Sequence, residues 1–204
     1  MKPQLLLLVI SSLILSISAN AQKARFGIQG GATMANAKVE AAGESETAES
    51  KFGFTIGLML DKNIGKSFVF QPSINWTQKG FEESDGSDKM TESLNYLEIP
   101  LNFLYRQAPE KGFFVGLGPT IAMGISGKFK YGDVDENINF GSGDDDDYRL
   151  MEYGGNILAG YLFPNKLQIA VNYNFGLSNV LPENDFDMSM KNNYWGLRLG
   201  YFFK

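Results

Sequence analysis

Two charged residues set in apolar runs are the first places in this chain where chemistry could reside. Glu98 interrupts Asn95-Tyr96-Leu97-Glu98-Ile99-Pro100-Leu101-Asn102-Phe103-Leu104-Tyr105, and Arg198 interrupts the closing run Gly196-Leu197-Arg198-Leu199-Gly200-Tyr201. A charge removed from water needs a partner, because a lone buried ion is costly. Paired across a narrow interior, the two could gate a small conduit for ions. They could equally satisfy one another as a structural plug, with Asn102, Asn172 and Asn174 completing a polar network. Both readings are open from sequence.

A second cluster is acidic. Asp133, Asp135 and Asn137 have the first three side-chain spacings of a calcium loop, and Asp144 stands at its twelfth place. Ile138 replaces the glycine needed at the sixth place, and aspartate replaces the bidentate glutamate. The alternatives are a weak divalent site bridging to lipopolysaccharide phosphates and a solvated acidic loop. Glu82-Glu83 and Asp144 to Asp147 offer carboxylates for acid–base work but have no pocket-forming context. The chain has no histidine and no cysteine. That excludes Ser-His and Cys-His nucleophiles, imidazole or thiolate metal ligands and disulfides. Neither an enzyme nor a cofactor is expected.

The elements that must position these residues follow from a period of two. In the run around Glu98, Leu97, Ile99, Leu101, Phe103 and Tyr105 share one face, while Tyr96, Glu98, Pro100, Asn102 and Leu104 share the other. Seven further segments alternate in the same way. They start near Phe26, Phe52, Phe68, Phe113, Tyr153, Leu167 and Trp195. One face is apolar and aromatic; the other is mostly Gly, Asn, Gln, Ser and Ala. Short turns near 63–66, 107–111 and 164–166 alternate with long polar loops at about 36–51, 82–91, 130–148 and 178–192. Pro72, Pro100 and Pro119 each delete a ladder donor, and local bulges are expected there.

Before the first strand, Lys2, an apolar stretch from Leu5 to Ser18 and Ala19-Asn20-Ala21 predict a signal peptide over 1–21, cleaved after Ala21. Residues 22–204 then form one domain. Loss of Lys2 takes the formal net charge from −5 to −6. Such a balance argues against nucleic acid as a partner, since that binding rests on Lys and Arg. Mean hydropathy is −0.16, and no later run is long enough for a spanning helix.

An even number of strands, short turns at one end and long loops at the other predict an all-β fold. It is an eight-stranded antiparallel up-and-down transmembrane β-barrel in a Gram-negative outer membrane. Phe68, Tyr105, Phe113, Tyr161 and Tyr201 fall toward the periplasmic rim; Trp76, Tyr153, Tyr173 and Trp195 fall toward the outer one. Glu98 then points into the lumen and its neighbours toward acyl chains.

Tyr96-Leu97-Glu98-Ile99-Pro100-Leu101, with the closing strand from Gly196 to Lys204, resembles the PorT-like outer-membrane β-barrel proteins of Bacteroidetes-type bacteria. The resemblance implies the same fold and location over the mature chain. It does not assign a role in secretion. Terminal Lys204 departs from the aromatic ending usual for insertion signals, although Phe203 keeps the alternation.

Three functional classes remain. The first is a barrel with a structural, surface-interaction or envelope-accessory role. The second is a small gated, porin-like channel, and the third a soluble lipocalin-like barrel binding a lipophilic ligand. For the first two the expected partners are outer-membrane lipid and lipopolysaccharide, the barrel-insertion machinery and envelope proteins.

Overall fold

In a computed structural model, described here for residues 24–41, 43–85, 88–143, 146–182 and 188–203, the alternation becomes a closed sheet. The predicted signal segment lies outside the described residues. The strands are β1 (Ala24–Ala41), β2 (Glu44–Thr47), β3 (Glu49–Asn63), β4 (Phe68–Asp85), β5 (Asp88–Ala108) and β6 (Lys111–Tyr131). They continue with β7 (Val134–Ile138), β8 (Phe140–Gly141), β9 (Tyr148–Arg149), β10 (Met151–Leu162), β11 (Leu167–Gly176) and β12 (Ser189–Phe202). Neighbours run β10-β11-β12-β1-β3-β4-β5-β6, and β6 pairs back onto β10. These eight strands, each antiparallel to the next, close the barrel. Closure leaves no open edge at membrane depth, which a lipid environment requires.

Side chains separate as the period of two dictates. Ile56, Leu58, Val115, Leu117, Leu197 and Leu199 are exposed on the outer wall, whereas Thr55, Asn75, Asn102, Asn156 and Asn172 are buried inside. Aromatic pairs mark both rims. Phe68–Tyr105 (5.7 Å between ring centroids) and Phe113–Tyr161 (4.8 Å) lie toward the short turns, and Tyr173–Trp195 (4.8 Å) toward the long connections.

The short turns sit where expected. At Pro164-Asn165-Lys166, Lys166 takes the left-handed conformation (φ 70°), and its amide donates to the Phe163 carbonyl. The long loops are a different matter. Much of what the polar composition suggested as loop is strand: β1 runs to Ala41, β4 to Asp85, and β5 starts at Asp88. The β6–β7 hairpin turns at Gly132-Asp133. Polar side chains mislead here because beyond the membrane both faces of a hairpin can meet water, so alternation fades while backbone pairing continues.

The prolines do not produce bulges. Between β4 and β5 pairing stops after Pro72↔Leu101 and resumes at Asn75↔Glu98 in the same register. Between β5 and β6 it stops at Pro100↔Thr120 and resumes at Phe103↔Leu117, again in register. A missing donor removes rungs without inserting a residue. Register shifts fall instead between Ser50 and Thr55, Asn95 and Tyr96, and Arg106 and Ala108.

Candidate functional site

The interior is filled from one end to the other. At the periplasmic end Asp61, on β3, pairs with buried Arg106 of β5 and accepts from Arg25 of β1 at 3.2 Å. Both guanidinium groups also donate to the Pro109 carbonyl, at 3.0 and 3.1 Å. Gln71 joins this group through Asp61 (3.3 Å) and Gln168 (3.1 Å).

Farther in, amides chain together. Asn172 donates to Asn156 at 2.9 Å, Asn156 donates to Asn102 at 2.9 Å, and Asn174 donates to Thr120 at 3.1 Å. An apolar patch of Val69, Leu104, Phe114, Leu158 and Ala170 packs within the same barrel. An eight-stranded lumen is narrow enough for side chains to fill it in this way.

The centre of charge comes next. Lys79 Nζ lies 2.7 Å from Glu152 Oε1 and 3.4 Å from Glu98 Oε2. The second contact is an ion pair too poorly aligned for a hydrogen bond, and Glu98 Oε2 has no hydrogen-bond partner. Arg198 stands 3.6 Å from the other oxygen of Glu98. Tyr194 bridges them: its hydroxyl donates to Glu98 Oε1 at 2.6 Å and accepts from Arg198 Nη2 at 2.7 Å. Asn192 donates to Glu152 at 3.0 Å, and the Lys79 ammonium lies 4.8 Å above the Tyr96 ring. Two cations balance two anions, so the cluster is neutral overall. Such compensation is the condition under which ions persist in a dry interior.

Above the charges the lining turns apolar. Leu94, Tyr96, Ile138, Tyr148, Val180 and Met190 form a buried cluster, with Phe129, Phe140 and Leu181 packed against it. Two long connections supply this cap. Ile138, Phe140 and Tyr148 come from the β6–β10 connection, and Val180 and Leu181 from the β11–β12 connection. Within it the Tyr148 hydroxyl donates to buried Glu92 at 2.8 Å.

Of the sequence-derived site residues, the structure brings Glu98 and Arg198 into one cluster and Asn102 and Asn172 into another; Asn174 bonds separately. Asp135 lies in the β6–β7 hairpin, paired with Lys130 (3.2 Å) and Lys128 (3.6 Å). Asp133 sits in the hairpin turn and Asn137 is exposed opposite Lys128. Asp144 lies outside the described residues. Among the described residues no group of three or more acidic side chains is arranged to hold a metal.

Sequence reasoning missed Lys79, Glu152, Tyr194 and Asp61. Each is in phase with the inward face of its strand, one or two pleats beyond where the alternation looked finished. Lys79 follows Thr77, Glu152 precedes Asn156 and Tyr194 precedes Gly196.

A closed ring of antiparallel strands with an apolar, aromatic-rimmed exterior and a polar packed interior defines an integral β-barrel of the bacterial outer membrane. The model of the outer membrane protein beta-barrel domain matches residues 20–181, and the chain belongs to that family. No curated protein sequence matches it. Solved structures similar to it include Ail, the attachment invasion locus protein of Yersinia pestis (19% identity, 89% of this chain and 100% of that one, TM-score 0.45). Neisserial surface protein A has 14% identity, the same coverages and a TM-score of 0.49. OprG from Pseudomonas aeruginosa has 11% identity, 89% and 96% coverage and a TM-score of 0.46.

Proposed function

We propose that the protein is a closed, non-catalytic barrel that anchors structured extracellular hairpins for contact with other envelope or surface components. The observation that carries this reading is the occupied lumen. Lys79, Glu98 and Glu152 are at most 2% exposed, and an apolar cap covers them on the extracellular side. A conduit for ions would need a wetted path, and here each level of the interior is occupied by side chains bonded or packed to one another. Glu98 and Arg198 then act as a plug. The hairpins beyond it carry an acidic, exposed edge, including Glu44, Glu46 and Glu49. That edge is suited to basic protein partners or to lipopolysaccharide bridged by divalent cations.

Within the family we place the chain with the PorT-like proteins of Bacteroidetes-type bacteria, on the element Tyr96-Leu97-Glu98-Ile99-Pro100-Leu101. The barrel-insertion machinery would deliver it to the membrane.

Conductance in a planar lipid bilayer tests the closed-barrel reading. Protein shown to be inserted should pass no discrete current, and Glu98→Gln should at most introduce unstable leaks. Regular current steps from the parent protein, altered by Glu98→Gln, would make it a gated channel instead.

A further inference from the structure

The lipid-facing wall is not uniform. Ala159 is the register partner of Val115 on one side and Val171 on the other. Larger side chains surround this small one: Leu117, Ile157 and Tyr173 toward the outer rim, Phe113 and Tyr161 toward the periplasm. The result is an apolar groove of about 870 Å³ across β5, β6, β10 and β11, bounded by Trp195 above and by Phe68 and Tyr105 below.

Charge is divided unevenly along the barrel axis, and Phe68 and Tyr105, at the lower boundary of the groove, stand beside the turns of the more basic end. Lys66 and Lys111 are exposed on the two turns beside Phe68 and Tyr105. Those turns are tied together by the Phe68↔Tyr105 pairing and by the Arg106 amide donating to the Ser67 carbonyl at 2.7 Å. Lys62 and Lys166 lie half-buried on the same rim. Among the described residues of that end, Glu110 is the exposed carboxylate, because Asp61 is buried with Arg106. The opposite end exposes Lys89, Lys128 and Lys130 but a larger number of carboxylates, among them Glu44, Glu46, Glu49, Asp135 and Glu136.

We propose that this wall binds an anionic glycerophospholipid of the periplasmic leaflet, its phosphate at Lys66 and Lys111 and one acyl chain in the groove over Ala159. The groove is continuous with the surface the barrel already gives to lipid, and its lining is hydrocarbon and aromatic. Two exposed ammonium groups beside its lower boundary favour a headgroup of net negative charge over phosphatidylethanolamine, whose own ammonium offsets the same phosphate. A lipopolysaccharide, entering from the other leaflet, would bring its phosphates to the acidic end.

Native mass spectrometry of the folded protein, exchanged against equal amounts of phosphatidylglycerol and phosphatidylethanolamine, is the test. One phosphatidylglycerol should be retained in preference. Ala159→Phe, which fills the groove, and the double variant Lys66→Glu/Lys111→Glu should each weaken retention about tenfold. Folding is verified by the heat-dependent shift in gel mobility. Equal retention of the two headgroups, unchanged retention in Ala159→Phe, retained lipopolysaccharide, or a second copy of the chain over the groove would each overturn the proposal.

Should Ala159→Phe fail to fold, Trp195 provides an independent reading. The chain has two tryptophans, so Trp76→Phe leaves Trp195 as the single indole beside the groove. Chain-brominated phosphatidylglycerol should then quench it at lower mole fraction than brominated phosphatidylethanolamine. Coincident curves would refute the site.

Discussion

Lys79 and Glu152 face one another across the barrel interior, Nζ to Oε1 at 2.7 Å, both almost wholly buried and contributed by strands that are not neighbours. β4 and β10 are separated in the ring by β5 and β6, so this contact staples the barrel through its lumen. It also divides Lys79 between two carboxylates, Glu152 and Glu98.

Removing that lysine should be severe. Lys79→Met leaves two carboxylates sharing Arg198 as their remaining cation in the cluster, and loss of one member of a buried pair costs about 3–5 kcal/mol. Refolded into lipid vesicles, the variant should unfold at markedly lower denaturant concentration. The charge-balanced double variant Lys79→Met/Glu152→Gln should recover much of the loss. A parent-like midpoint for Lys79→Met alone would mean that the staple carries no stability.

The amide of Asn172 lies against Gly196. A Cβ there would come within 2.3 Å of Asn172 Oδ1. Gly196→Ala should therefore displace Asn172 from Asn156 and cost about 1–3 kcal/mol by overpacking. Shortening the obstructing side chain, in Gly196→Ala/Asn172→Ala, should remove the steric part of that cost. Unfolding midpoints of the two variants separate the effects.

Leu199 is exposed on the lipid face, two residues from the aromatic rim residue Tyr201. Leu199→Arg should destabilise the inserted barrel by about 2–4 kcal/mol if it lies at mid-depth, and by less toward the rim. Folding yield in vesicles, read as the heat-dependent gel shift, checks this. Insertion as efficient as that of the parent would contradict the assigned facing.

The cap should respond to pH. Trp76 pairs with Leu97 at the outer aromatic rim, so Glu92, five residues farther along β5, stands outside the membrane-spanning part. Burial pushes its carboxyl up to about 7; the Tyr148 hydrogen bond opposes this and the Asp147 charge adds to it. Glu92 Oε1 has no hydrogen-bond partner to stabilise the ionised form. An acid with a raised folded-state pKa holds its proton more tightly when folded than when unfolded. Stability is therefore greatest below the ordinary carboxylate range and falls as pH rises toward about 7, then levels off. Protease resistance of the β6–β10 connection should be higher in mildly acidic than in mildly alkaline buffer. Glu92→Gln should flatten that difference, and an equal slope in the variant would assign the effect to another group.

The alternation of eight segments, the short turns and the aromatic rims were legible in the sequence because each is a local property. Period two assigns every side chain to a face, and composition identifies which face meets lipid. That reasoning placed Glu98, Arg198, Asn102 and Asn172 inside. It stopped one or two pleats short at Lys79, Glu152 and Tyr194, because a lysine, a glutamate or an asparagine pair near a strand end reads as the beginning of a loop. The same ambiguity made the outer hairpins look like coil, and a proline look like a bulge where only rungs are lost.

Partner choice was decided by the tertiary structure alone. Which inward charges meet depends on the stagger of strands around the ring, and no single strand encodes that. Hence Arg106 finds Asp61, Glu98 is shared by Lys79 and Arg198 through Tyr194, and the basic turns gather at one end of a chain whose overall charge is acidic. Facing is fixed within a strand by backbone geometry, whereas depth and neighbours across the lumen exist only once the barrel has closed.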